Sequence, residues 1–331
     1  MSEEPEFDYD EMTRNTTVPP NLNFCLKGFQ TEEKAKELAD WTYSFLKIIG
    51  AKLNLERLDG ITIAFDYPKA LAELDRGYAT KFVLTPSSEF AQGVAMAPAV
   101  KRDGVIKTHI VFDANVFVRF MDTDDEQWLW IYYQLAHECG HVHDRHAFDK
   151  ALPDLLLTLH DFGDDLNKTR YELGDNCWSE YAASRLSAEF YAGQVAHYEE
   201  VFIATLEGLD ERTTAIMAKF AEDNDGLQCF RSLCAEYERI MRFVSYLLGH
   251  IDGLGGEVDV APKFKEFLES EHWLGQYIIE LDNTFDELWA NYGKWTSYED
   301  FDGLGTIVLV LVETHNVSAV VQDRQMYVSI H

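Results

Sequence analysis

The stretch Leu135-Ala136-His137-Glu138-Cys139-Gly140-His141-Val142-His143 constrains this chain more than any other. His137, Glu138 and His141 carry the HExxH spacing, which is useful only on a helix. At 3.6 residues per turn, positions four apart are offset by roughly 40° around the axis, so both imidazoles can face one metal ion with a carboxylate beside them. The flanking pattern supplies that helix. Trp128, Ile131, Tyr132, Leu135, Cys139 and Val142 recur at three- and four-residue steps as one apolar stripe, while His137 and His141 project from the other side. Trp130 and Tyr133 share the histidine side one or two turns upstream, which makes it a cleft wall rather than open surface. Two nitrogen donors one turn apart suit zinc.

Composition bounds what surrounds such a helix. With 331 residues and 47% hydrophobic content, the chain can bury one large core or two of ordinary size. Lys plus Arg number 28 against 58 Asp plus Glu, and the net charge of −30 argues against nucleic-acid phosphates and anionic membranes as partners. Residues 1–10 lack the basic-then-apolar pattern of a secretion signal, and the longest apolar run, 307–312, is too short for a membrane span. Cys25, Cys139, Cys177, Cys229 and Cys234 form no CxxC pair. Reduced thiols in a cytoplasm are therefore expected, rather than a disulfide framework or a cysteine zinc site.

Along the chain, residues 1–22 are polar, end in a Pro19-Pro20 stop, and are expected to form a flexible acidic tail. Thr31 is placed as the N-cap, with Glu32 and Glu33 in the first turn, of a helix running to about residue 49 and closed by Gly50. Strands are expected at 61–65, 93–100 and 109–112, a short helix at 69–74 and a turn at Asp103-Gly104. The segment 107–113 reads either as an ordinary core strand or as an exposed sheet edge able to take up a peptide by strand addition. The acidic loop 161–165 reads as a solvated connection rather than a cation site. Asp175 or Asn176 then caps a helix carrying Trp178, Glu180, Ala183, Leu186 and Phe190. Residues 201–292 are mostly helical, broken near 223–226 and 253–256, where neither an EF-hand nor a phosphate-cradling pattern is met. The β-branched runs 307–312 and 317–321 leave strand and helix both open. The whole is an α+β fold: a core over residues 23–200, then a mainly helical region over 201–331.

Hydrolytic zinc takes three protein ligands and leaves one position for water. His143, Asp144, His146 and Glu180 are candidates for the third. The metzincin spacing is not met, since Asp144 and Ala147 stand where that pattern places Gly and His. Asp144 shares the histidine face, but three ligands from one straight helix are geometrically awkward. Glu180 fits better. It lies in the next strong helix, with Ala183, Ser184 and Ser187 along its own side, small enough to let that helix approach the HExxH helix.

Ala136-His137-Glu138-Cys139-Gly140-His141, followed by Glu180-x-x-Ala183-x-x-Leu186-x-Ala188, resembles the gluzincin arrangement of HExxH metallopeptidases, and particularly the ImmA/IrrE-type metallopeptidases, over residues 105–190. The resemblance implies a zincin-like core of a small mixed sheet and the HExxH helix, one zinc ion held by His137, His141 and Glu180, and Glu138 as catalytic base. The interval between His141 and Glu180 is longer than that family usually shows, and Leu186-Ser187 replace its preferred Phe-Ala. In such a site zinc acidifies water and polarises a carbonyl while Glu138 carries the proton. Tyr181, Arg185, Tyr171 and His143 are available as oxyanion stabilisers. The expected activity is cytoplasmic, zinc-dependent hydrolysis of a peptide or protein, with no nucleic-acid or membrane partner. The alternative is a non-catalytic protein-binding or regulatory module on the same fold, which would have no use for Glu138; a third reading is a non-peptide amidohydrolase using the same water.

Overall fold

From the amino end, Asp8 caps a short helix α1 (Tyr9–Thr13), followed by β1 (Asn23–Lys27), α2 (Glu32–Gly50), β2 (Leu58–Ala64), α3 (Tyr67–Ala72), β3 (Ala95–Met96), β4 (Ala99–Arg102), β5 (Val105–Asp113), α4 (Ala114–Phe117) and α5 (Trp128–Ala151). This computed structural model describes residues 8–86, 93–153, 155–158 and 160–331. Its compact units are Met1–His146 and Ala147–His331. That division falls inside α5.

In the first unit β1, β2 and β5 run parallel, with Phe24 opposite Ile61 and Ile61 opposite Ile110. β3 and β4 pair antiparallel with the other side of β5. The segment 107–113 is thus interior, and the exposed-edge reading of it is corrected. Ile110, Val111 and Phe112 are at most 1% exposed. A strand covered on both faces reads as a continuous apolar run, as Ile110-Val111-Phe112 do at the centre of this segment.

Thr31 caps α2 as expected, its hydroxyl accepting the Lys34 N–H at 3.3 Å. The helix ends at Gly50 for a packing reason: a Cβ there would sit 2.7 Å from Val18 and 2.8 Å from Thr16. The Thr17 hydroxyl lies 2.8 Å from the Leu53 carbonyl and accepts the Leu55 N–H at 2.8 Å, while Tyr9 donates to the Ser44 carbonyl at 3.1 Å. Residues 8–22 of the expected loose tail are therefore held against α2.

A register shift between Leu58 and Gly60 lets Asp59 reach sideways in the sheet. Its carboxylate lies 3.0 Å from His109 Nδ1 and takes two bonds of 3.1 Å from Arg102, and His109 Nε2 lies 2.9 Å from the Thr62 hydroxyl. Burial pushes the Asp59 carboxyl up, but His109 and Arg102 together outweigh it and hold the group below its usual range.

The second unit is mainly helical: α6 (Asp165–Ser187), α7 (Gln194–Leu206), α8 (Leu209–Asp223), α9 (Gly226–Gly253), α10 (Pro262–Glu269), α11 (Gly275–Ala290) and α12 (Asp302–Glu313), closed by the hairpin β6 (Val317–Gln322) and β7 (Gln325–Ile330). The helix carrying Glu180 does not start at Asp175 or Asn176. Asp164, in extended backbone, accepts the Asn167 N–H at 2.8 Å and starts α6 well upstream. Gly174 sits mid-helix, where a Cβ would press on Gly305 N and the Phe301 carbonyl at 3.1 Å. The acidic loop 161–165 supplies that cap, and Asp161 pairs with Arg324. Left-handed Asn224 closes α8, Asp225 caps α9, and Gly255 and Gly256, at φ 115° and 79°, follow its end. Of the undecided runs, 307–312 is helical in α12 and 317–321 is strand in β6. Asp323 and Arg324, both at positive φ (52° and 66°), make the two-residue turn to β7.

The result is a mixed α+β chain, 60% helical, with a small mixed sheet and a helical carboxyl-terminal region. Among the described residues no helix is long and apolar enough to cross a membrane.

Candidate metal centre

The amino-terminal half of α5 is fixed by aromatic packing. Phe45 and Phe120 lie 5.4 and 5.5 Å from Trp128, and 5.2 and 6.1 Å from Tyr132, between ring centroids. The indoles of Trp128 and Trp41 both donate to the Phe120 carbonyl at 2.8 Å. Further along, Ile131, Leu135, Cys139 and Val142 form the buried stripe that the three- and four-residue spacing anticipates. The opposite side is closed as well. Tyr133 is fully buried, and His137, Glu138 and His141 are 4%, 6% and 9% exposed. Beyond them Arg145 donates to the Ala97 carbonyl and the Thr108 hydroxyl, anchoring the helix to the sheet.

The His137 and His141 rings meet edge to face, with centroids 4.9 Å apart and planes at 89°. Together with Glu180 of α6 they form a group in which each residue offers one ligand atom, all within 4.8 Å of one another. Both histidines are buried and the glutamate is half-buried. His143, Asp144 and His146, the other candidates from spacing, are not in this group. Donors held about 2.1 Å from one ion in tetrahedral geometry lie about 3.4 Å apart, so the observed spread closes with small side-chain rotations. Two imidazoles and one carboxylate are a donor set that could hold a metal ion, and the chemistry fits zinc. Cys139 lies in the buried apolar stripe and is not in this group; burial, then Glu138, pushes its thiol well above the usual range.

Each of the oxyanion candidates named from sequence is engaged with another group. Tyr181 and Arg185 both donate to Asp252, Tyr171 donates to Asp175 at 3.3 Å, and His143 Nδ1 accepts the Asn54 N–H at 2.8 Å. Burial, then His146, pushes the His143 imidazole down, which agrees with that acceptor role.

Two residues that pattern reading passed over do lie by the motif residues. Tyr67 opens α3 just after β2, 3% exposed, and its phenol is raised by burial, then by Glu138 and Asp113. Arg242 of α9 pairs with Glu238 at 3.0 Å; burial opposes its charge, but Glu238, Tyr246 and Glu180 raise it. The signal for Tyr67 was its place directly after a strand in Asp66-Tyr67-Pro68. For Arg242 it was an ion pair spaced i, i+4 with Glu238 in a strongly amphipathic helix.

No known family, curated protein or solved structure matches this chain.

Proposed function

We propose that the protein is a zinc-dependent peptidase of zincin-like, gluzincin design, akin to the ImmA/IrrE-type metallopeptidases, acting on a peptide or protein in a reducing cytoplasm. One observation carries the reading: two buried imidazoles one helical turn apart share ligand distance with a carboxylate from another helix, and Glu138 stands next to the first of them. His137, His141 and Glu180 would hold the ion. Three protein donors leave a position for water, whereas structural zinc is usually closed by four. Zinc bound there supplies Lewis acidity, which acidifies water and polarises a carbonyl.

Glu138 does the proton work. Its carboxylate takes one proton as the water oxygen attacks the carbonyl carbon, then gives it to the leaving nitrogen as the C–N bond breaks. The products are a carboxylic acid and an amine, and the acid's remaining proton passes to the amine to leave a carboxylate and an ammonium. Among the described residues all five cysteines are free thiols, which suits the reducing compartment.

Metal analysis joined to hydrolysis of a labelled peptide library tests this. Wild type should carry about one zinc, His137→Ala and Glu180→Ala should lose it, and Glu138→Gln should keep it while hydrolysis falls roughly 100-fold to 10,000-fold. A wild type that takes up no zinc would overturn the reading. Full hydrolysis by Glu138→Gln would remove the base from the mechanism.

A further inference from the structure

We propose that the Tyr67 hydroxyl donates a hydrogen bond to the substrate's carbonyl oxygen as that oxygen becomes negative, an inference that rests on the peptidase reading. The first support is an anomaly of burial. Among the described residues, the Tyr67 hydroxyl oxygen is sealed from solvent and has no hydrogen-bond partner. Leaving a buried hydroxyl unsatisfied is unfavourable, and Phe would fill the same apolar surroundings of Ala64, Ala70, Leu71 and Val111 without that penalty. A donor kept under those conditions points to an acceptor that arrives with a ligand.

The second support is placement. Ala64 and Asp113 are register partners at the carboxyl ends of the parallel strands β2 and β5, and Tyr67 follows Ala64 over the same end. Ligands of open parallel sheets gather outside the carboxyl ends of their strands. Asp66 caps the short helix by accepting the Lys69 N–H at 3.2 Å, and Pro68 sits in its first turn, so the tyrosine backbone is fixed. Asp113 is not the acceptor in this structure: its Oδ1 takes the Asn115 N–H and side-chain amide, at 2.9 and 2.8 Å, and no hydrogen bond joins it to the Tyr67 hydroxyl.

The acceptor is better assigned to the substrate than to Glu138. A phenol bonded to Glu138 would weaken the base, whereas one bonded to an oxygen gaining charge stabilises the transition state more than the ground state. Burial and the nearby Glu138 and Asp113 carboxylates keep the phenol protonated, and so a donor, throughout the working pH range.

Tyr67→Phe removes only the hydroxyl, and it is to be compared with wild type and Glu138→Gln for zinc content, melting temperature, peptide hydrolysis and affinity for a phosphinic peptide. The expected Tyr67→Phe protein keeps its zinc, melts no lower than wild type, loses roughly 100-fold to 1000-fold in kcat with little change in KM, and binds the phosphinic peptide more weakly by a similar factor. Unchanged kcat and phosphinic affinity in a zinc-loaded Tyr67→Phe protein would overturn the inference alone. A fall in melting temperature with parallel loss of zinc would make Tyr67 structural and also overturn it. If wild type and Glu138→Gln are equally inactive, the peptidase reading fails and this inference falls with it.

Discussion

Gly249→Ala ties helix packing to the proposed metal site. Gly249 lies where α9 meets α6, and an added Cβ would stand 2.2 Å from the Tyr181 carbonyl oxygen, 2.9 Å from its carbon and 3.0 Å from Cα. Non-bonded carbon contacts rest at about 3.5 Å, so the two helices must part by about 1 Å at this point. The obstacle is backbone, which no rotamer change relieves. Overpacking of this kind costs about 1–3 kcal/mol, with the upper end expected here, and the better helix propensity of alanine offsets about 1 kcal/mol. The net loss of about 2 kcal/mol should lower the melting temperature by roughly 4–8 °C for a unit the size of Ala147–His331. Glu180 immediately precedes Tyr181, and a metal site tolerates only about 0.5 Å of misplacement, so zinc affinity should fall by about 10-fold. Thermal unfolding of metal-free protein and a zinc titration measure the two effects separately. Gly275→Ala, where nothing lies within 4 Å, is the control and should be neutral or slightly stabilising. A Gly249→Ala protein that melts with wild type and binds zinc as tightly would refute the idea that α9 fixes α6.

Asp282→Asn should stabilise the protein near pH 7 by about 1–2 kcal/mol, after allowing for screening at a half-buried position. Burial, then Asp252 and Asp286, pushes its carboxyl up to about 6 from 3.8, so its contribution is intact below pH 3.8 and lost as pH rises through 6. Denaturant melts at pH 7 and 3.5 check the sign: the gain should vanish at the lower pH. Asp59→Asn should behave oppositely, because His109 and Arg102 outweigh burial and hold that carboxyl below 3.8. The stability lost on substitution should be largest above pH 3.8 and shrink as the wild-type group protonates in acid. Chelation should lower the melting point of the wild type but not of His137→Ala; free zinc at 100 times its Kd corresponds to about 2.7 kcal/mol.

Local signals in the sequence were legible where they matched local causes. The Thr31 cap, the α5 stripe and the break at Asn224 and Asp225 each depend on a few neighbouring residues, and each forms as the pattern implies. The errors arose where a distant segment decides. The start of α6 lies at Asp165 rather than after Asp175 or Asn176, and the glycine just before those positions is needed for the close approach of α12, far along the chain. The segment 107–113 was ambiguous because interior or edge depends on whether β3 and β4 return to pair with it. At the site, His137 and His141 could be placed from helical spacing alone, but the convergence of Glu180 with them needed coordinates. Tyr67 was missed because a tyrosine after a strand is ordinary until its hydroxyl is found buried without a partner.

Burial separates a cation site from two histidines that share a turn by chance. A chance HExxH on a solvated face would leave its glutamate in water, where ionisation is free of any penalty. Here Glu138, Asp144 and Asp113 are 6%, 5% and 9% exposed, within one unit of a chain whose net charge is −30. Burying a carboxylate is unfavourable by several kcal/mol unless charge or hydrogen bonds compensate. A divalent cation on His137, His141 and Glu180 is the proposed source of compensating charge, since a bound ion is the largest local charge in such a site. A core built for stability alone would accept glutamine at position 138. Under the proposed peptidase function, the negative charge there serves as the base.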